Sequence, residues 1–239
     1  MSPESLFLPD NDQERPMREE KVLHDKDIRE PLFDFLEDQY GKVRIIEEKQ
    51  MGRSRADLVM VTEDALTGIE IKSDADSYAR LGRQVKDYDR YFDRNVVVVG
   101  SSHAMHIEEH VPAWWGIITA EQEAEGVDFY FLRRPQENPK MEWGKKLEIL
   151  WRNELAGLQK LVDMPAYAQK SKAFVIGKLI ELVPPDQLCR AVSEELFERD
   201  YQEMQERMQA YQEKREASGA KRRAGGKRRR KRKPRISRR

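Results

Sequence analysis

Asp57, Glu70 and Lys72 are the residues whose types and spacing could carry chemistry. Side chains two apart in a strand share a face. In the apolar run Ala56-Asp57-Leu58-Val59-Met60-Val61, Asp57 points with Val59 and Val61. In Gly68-Ile69-Glu70-Ile71-Lys72, Glu70 and Lys72 share one face and Ile69 and Ile71 the other. A short polar segment, Thr62-Glu63-Asp64-Ala65, joins the two runs. A hairpin centred between Glu63 and Asp64 places Asp57 opposite Glu70, and Arg55 opposite Lys72. Directly opposed Cβ atoms lie roughly 4.5–5.5 Å apart, and like charges there destabilise a sheet. A divalent cation bridging the two carboxylates would remove that conflict. Mg²⁺ accepts carboxylate oxygens, waters and substrate phosphate oxygens. Lys72 adds a point charge suited to a phosphate or to a group beside an attacking water. From spacing alone, solvated strand charges paired to Arg55 or Lys72 explain the same residues equally well.

The surrounding pattern predicts the elements that must position them. A helix capped by Asp25 or Asp27 runs to about Gln39, with Ile28, Leu32, Phe33, Phe35 and Leu36 near helical spacing and Gly41 as its stop. Val43–Glu48 reads as a first strand, ahead of the two above. A helix follows over 77–92, where Tyr78, Leu81, Val85, Tyr88 and Phe92 keep one face. Asn95–Gly100 is a buried strand, 104–110 a short helix, and 115–119 and 127–132 two further strands. Pro135 and Pro139 then punctuate a linker, and 145–162, 170–183 and 186–217 read as helices, the last two separated by Pro184-Pro185. The expected organisation is a flexible lead-in over 1–20, an α/β core over 21–135, a linker over 136–144, a helical appendage over 145–217 and a disordered basic tail over 218–239.

Asp57 followed by Glu70-Ile71-Lys72 resembles the signature of the PD-(D/E)XK nuclease superfamily, with its restriction-endonuclease-like fold. Gln84-Val85-Lys86-Asp87-Tyr88 on the following helix looks like the QxxxY motif of the RecB-like branch. The stretch RADLVMV…GIEIKSDADSYARLGRQVKDYDRYFDRNVVVVG is similar to a small bacterial subfamily of that superfamily. The resemblance spans roughly residues 25–135 and implies an αβββαβ core. It implies that Asp57, Glu70 and the Ile71 carbonyl hold Mg²⁺ or Mn²⁺, and that Lys72 activates water and stabilises pentacovalent phosphorus. Gln84 and Tyr88 would support the site or touch the nucleic-acid backbone. An acidic residue often completes such sites: Glu30 is the candidate, with Glu37 and Glu48 as alternatives. Ala56 departs from the motif's proline.

Lys+Arg and Asp+Glu both number 44, but the balance is uneven. Residues 221–239 hold thirteen basic residues and no acid, which leaves a net charge of −13 over 1–220. Such a tail, Lys227-Arg228-Arg229-Arg230-Lys231-Arg232-Lys233 at its densest, is suited to phosphate without sequence preference. It could equally lie on the acidic body. Arg55, Arg80 and Arg83 flank the motif and could hold phosphates. No apolar run approaches the ~20 residues that cross a bilayer, so no membrane partner is expected. The N-terminal MSPESLFLPDNDQERP lacks the form of a secretory signal. Cys189 is the only cysteine, which excludes a disulfide framework and fits a reducing cytoplasm.

Weaker signals point elsewhere. His103, His106 and His110 could share a helix face and hold zinc, or simply line a half-exposed helix. Trp114-Trp115 reads as core edge, and Trp143 and Trp151 as anchors of the appendage. Phe197, Tyr201, Met204, Met208 and Tyr211 form a seam of about two heptads, which allows a homodimer or a partner protein. The expectation is a metal-dependent nuclease acting on DNA. The alternative is a non-catalytic nucleic-acid-binding or adaptor protein on the same fold.

Overall fold

The apolar stripe Ile28, Leu32, Leu36 turns the first segment into a helix, α1 (Asp25–Tyr40), and buries all three side chains. Gly41, at φ +74°, ends it and donates its N–H to Glu37 O. The computed structural model describes residues 22–124 and 126–199. After α1 come β1 (Arg44–Met51), β2 (Ser54–Val61), β3 (Leu66–Lys72), α2 (Leu81–Tyr91), β4 (Arg94–Gly100), β5 (Gly116–Glu123) and β6 (Gly126–Arg133). The helices α3 (Trp143–Glu148), α4 (Arg152–Lys160), α5 (Lys172–Leu182) and α6 (Pro185–Phe197) follow.

The strands form one six-stranded mixed sheet in sequence order. β1, β2 and β3 are an antiparallel meander, β3, β4 and β5 run parallel, and β6 returns antiparallel. The chain is therefore α/β. Parallel strands need covering on both faces, and every residue of β3 is buried. One face packs Ile69, Ile71, Met60, Val96 and Val98 against the α1 stripe. The other receives α2, whose Tyr88 is fully buried, as is Phe92 just beyond its end. Each such side chain contributes about 1.5–3 kcal/mol by leaving water.

Two details hold α2 at that distance. Gly68 of β3 has no side chain where the Phe92 ring and Tyr88 lie; a Cβ there would overlap Phe92 and approach Tyr88 Cδ1 to 2.6 Å. Asp89 Oδ1 then accepts the indole N–H of both Trp114 (3.2 Å) and Trp115 (2.9 Å). The tandem tryptophans are thus a brace between α2 and β5, with Trp115 wholly buried.

The helix expected over 104–110 is absent. The β4–β5 crossover is made of two 3-10 turns, Ser101–His103 and Ile107–Glu109. Local bonds win over helix there: Asp74 Oδ1 accepts the Ser102 N–H at 3.1 Å, and the Tyr78 ring packs against His103 and His110. His103 Nε2 lies 3.1 Å from Asp76 O, while His106 faces Glu109. Each histidine has its own local surroundings, and among the described residues no group of three or more His, Cys, Asp or Glu is placed to hold a metal.

The segment 136–144 is not a free linker. Asn138 Nδ2 donates to Asp89 O (2.8 Å) and Phe92 O (2.7 Å), closing the C-terminus of α2, and Arg90 pairs with Glu142 at 2.6 Å. The fully buried Lys146 of α3 reaches Asp93 at 2.7 Å, whose Oδ2 also accepts the Leu66 N–H. These bonds need no apolar pattern, so the helices up to Glu194 join the sheet in one compact unit. A second unit begins at Glu195. The helix expected over 145–162 is split at 149–151, where Glu154 caps the restart by accepting the Trp151 N–H at 2.6 Å. The lead-in, the seam beyond Phe197 and the basic tail, including Lys227–Lys233, lie outside the described residues. Among those residues no helix is long and apolar enough to cross a membrane.

Gly68→Ala should destabilise the protein by about 1–3 kcal/mol, the usual effect of overpacking. A thermal melt should show it as a loss of roughly 2–4 °C per kcal/mol. An unchanged Tm would mean that α2 does not need this close approach.

Candidate active site

The β2–β3 ladder pairs Leu58 with Ile69, Val59 with Gly68, Met60 with Thr67 and Val61 with Leu66. That is the expected register, and its next step sets Asp57 across from Glu70. The backbone ladder ends there. Ile71 N–H donates 2.9 Å to the Asp57 carboxylate, Oδ2. The β1–β2 ladder skips the same place, running from Glu47–Leu58 to Lys49–Ala56. Glu48, the omitted residue of β1, has φ +52°. A non-glycine residue in that region is uncommon and strained.

Asp57 is thus a gap in both ladders, filled from other elements. The Tyr88 hydroxyl of α2 occupies it. It accepts the Asp57 N–H at 3.3 Å and lies 3.0 Å from Ile69 O and 2.8 Å from Glu70 Oε2, the acceptors for its single proton. Arg29 Nη1 of α1 reaches Asp57 O at 3.5 Å. Gln84, one turn before Tyr88, donates from Nε2 to Glu70 Oε1, and Lys72 Nζ donates to the same oxygen. Lys72 Nζ also lies 3.4 Å from Ile71 O. The QxxxY spacing therefore has a physical meaning: residues four apart on a helix share a face, so both side chains reach one carboxylate on the strand beneath.

The electrostatics follow from burial. Glu70 and Lys72 are an ion pair with side chains 1% and 7% exposed. Burial pushes the Glu70 carboxyl above its ordinary value, the Asp57 charge pushes it further, and Lys72 opposes both. Burial raises Asp57 as well, against the Ile71 N–H and the Lys72 charge. Burial, then the two carboxylates, hold the Tyr88 hydroxyl well above its usual range, so it stays a donor.

These groups open onto a cleft of about 580 Å³. It joins Asp57, Glu70, Ile71, Lys72 and Gln84 to Arg55, Arg80 and Arg83, with Tyr88 buried beneath. Glu48 also lines it, and its carboxylate pairs with Arg55 at 3.1 Å. Glu30 and Glu37 do not line it; both are exposed. Glu30 lies two residues past Ile28, roughly 200° around the helix from the buried stripe at 100° per residue. From α1 the cleft takes Asp25 and Arg29 instead, which pair with each other at 2.7 Å. Their i, i+4 spacing beside the stripe is the signal that marks them. Arg53, on the β1–β2 turn, is another lining residue that the motif did not indicate.

The donor set fits a hard divalent cation. The buried Glu70 and half-buried Asp57 carboxylates, both with raised pKa values, plus the Ile71 carbonyl would supply oxygen ligands, and Mg²⁺ commonly takes only one or two carboxylates and fills the rest with water and phosphate. A cation there would relieve the repulsion between Asp57 and Glu70.

A family model described as bacteriophage P4 protein cII matches residues 17–220. No curated protein matches. Among solved structures, the chain is similar to Pyrococcus furiosus SfsA in complex with Ca²⁺, at 15% identity and a TM-score of 0.28, over 46% of this chain and 60% of that one.

The raised carboxyls predict a pH-dependent stability. A group with a raised folded-state pKa binds its proton more tightly folded than unfolded, so stability falls as pH rises from the ordinary value through the raised one. Without a cation at about pH 7, Asp57 therefore burdens the fold. Asp57→Asn keeps an acceptor for the Ile71 N–H and should raise Tm in EDTA by roughly 2–4 °C per kcal/mol gained. The gain should vanish below about pH 4, where the unfolded carboxyl is protonated too. Glu70→Gln should shift the same way, since burial and Asp57 raise that carboxyl too, but by less, because Lys72 then loses its carboxylate. Melting curves of both variants across pH check this, and no gain for Asp57→Asn at about pH 7 would refute it.

Proposed function

This chain belongs to the bacteriophage P4 protein cII family, and we propose that it is a metal-dependent nuclease that hydrolyses phosphodiester bonds, with DNA as its substrate. The observation that carries the reading is the meeting of Asp57, Glu70 and Lys72 at the break in the ladder, with Gln84 and Tyr88 both bonded to Glu70. Its support from sequence is the resemblance to the PD-(D/E)XK superfamily, which also gives the reading of the αβββαβ order as a restriction-endonuclease-like core.

On this reading Asp57, Glu70 and the Ile71 carbonyl would hold Mg²⁺ or Mn²⁺. When bound, the ion supplies charge neutralisation at the phosphate and a more acidic water. The chain's own residues do the rest. Asp57 is fixed by the Ile71 N–H and Glu70 by Tyr88 and Gln84, so both carboxylates are pre-positioned and little reorganisation remains. Lys72 shares the face of Glu70. Relieved of balancing that charge alone, its ammonium can orient a water or meet a phosphate oxygen. Arg55, Arg80 and Arg83 border the cleft where the flanking backbone would run. The cluster Lys227–Lys233 adds a salt-sensitive, sequence-independent attraction.

Mg²⁺- or Mn²⁺-dependent cutting of labelled single-stranded, duplex and branched DNA by the full chain tests the proposal. Wild type should cut, and the Asp57→Ala/Glu70→Ala double variant should not. Lys72→Ala should lose about 10²–10³-fold in kcat, as when a stabilising group is removed. Tyr88→Phe and Gln84→Ala should lose about 10–100-fold, the usual effect on groups that orient a metal ligand, with DNA binding retained. Equal cutting by wild type and a folded Asp57→Ala protein would overturn the assignment. Binding without cutting would transfer it to a non-catalytic nucleic-acid adaptor.

A further inference from the structure

The cleft's arginines are not equivalent. Arg29 is held by Asp25 at 2.7 Å and Glu47 at 3.3 Å, and Arg55 by Glu48 at 3.1 Å. These charges are already answered. The guanidinium groups of Arg53, Arg80 and Arg83 make no ion pair or hydrogen bond with any described residue. All three are exposed and line the same cleft as Asp57 and Glu70. In a body of net charge −13 over 1–220, three unanswered arginines on one cleft wall are out of keeping with the balance of charge.

The fold builds that wall from two elements. Gly52, at φ +53°, turns the chain between β1 and β2, and its N–H donates to Tyr91 Oη of α2 at 3.1 Å. A Cβ on Gly52 would lie 3.0 Å from Asp87 Oδ1, also on α2. The turn is therefore seated on α2. Arg83 precedes Asp87 by four residues and so shares its helix face. Seating the turn brings Arg53 to the side of the cleft that carries Arg83, and Arg80 stands just before α2 begins.

We propose that Arg53, Arg80 and Arg83 form a phosphate subsite for the DNA backbone. It would bind backbone phosphates next to the one addressed by Asp57, Glu70 and Lys72. The strand then leaves the reacting centre toward the β1–β2 turn and the start of α2. The opposite side, where Asp25 and Glu47 neutralise Arg29, offers no unanswered cation among the described residues that line the cleft. Guanidinium groups suit the task because their planar donor fork matches phosphate oxygens in pairs. Bonds to phosphate position a strand without reading its bases, so the subsite favours a polynucleotide over a lone phosphodiester and carries no sequence preference. The assignment rests on the nuclease reading for what lies beside it, but its test reads binding alone.

The test uses the full chain in EDTA, where no cutting is possible, and a fluorescent single-stranded DNA probe followed by anisotropy over a range of salt. The variant is Arg53→Gln/Arg80→Gln/Arg83→Gln. The comparison variant, Lys160→Gln/Lys170→Gln/Arg190→Gln, removes the same charge from exposed positions on the helical side. Melting curves confirm that both are folded. The cleft variant should bind at least tenfold more weakly than the comparison variant at low salt. Its plot of log affinity against log salt should also flatten by about 0.7 for each phosphate that is no longer neutralised. Equal affinity and equal slope for the two variants would overturn the subsite, because total charge would then explain the binding. That result would leave the nuclease reading standing, since the metal-dependent cutting assay decides it separately.

Discussion

A carboxylate on a strand buried on both faces must find its donors inside the protein, because it has given up nearly all of its hydration. Glu70 is in that position, at the centre of the sheet and 0% exposed. Its oxygens are answered by Lys72 from the same strand and by Gln84 and Tyr88 from α2. An unpaired ionised group at such depth would take up a proton instead. The placement of α2 is therefore an electrostatic requirement as well as a matter of packing.

Much of the remaining structure serves that placement. Gly68 removes the side chain that would hold α2 away. Asp89 fastens the helix to Trp114 and Trp115, and Asn138 ties its last carbonyls to the chain beyond the sheet. Lys146 and Asp93 then close the far end of the same layer. These bonds involve buried polar groups that are each satisfied by more than one partner. Such networks specify one arrangement more sharply than apolar packing does, since a shift leaves donors unpaired.

The sequence is most legible where periodicity and chemistry coincide. The β2–β3 register follows from a polar turn between two apolar runs, and Asp57 and Glu70 stand where it sets them. The helix carrying Gln84 and Tyr88 follows from its apolar stripe. Legibility fails where the deciding bond has no period. Arg29 reaches Asp57 O across 28 positions of sequence, which no local pattern announces. Glu30 recommends itself by charge alone, although the phase of Ile28, Leu32 and Leu36 turns it outward. The crossover after β4 has three histidines at helical spacing, but Asp74 and Tyr78 bind its backbone and rings into 3-10 turns instead. The prolines at 135 and 139 suggest a free linker, whereas the side chain of Asn138 between them decides that the segment docks.

The site also departs from what stability alone would select. Two carboxyls are raised by burial, Glu48 is held at φ +52°, and both ladders are interrupted at Asp57. An apolar residue in place of Asp57 would remove one raised carboxyl and the part of the Glu70 shift that the Asp57 charge causes. Strain concentrated at one residue, while the surrounding sheet is regular, is what pre-organisation for a bound group requires. The interruption has a specific effect: it turns the Asp57 carboxylate into the acceptor for a backbone N–H, so its position is fixed by the sheet and not by a free side-chain rotamer. Glu70 is fixed from the helix side by two more donors. Two negative groups held rigidly against their mutual repulsion store an affinity for positive charge, and the single lysine between them accounts for only one of the two charges.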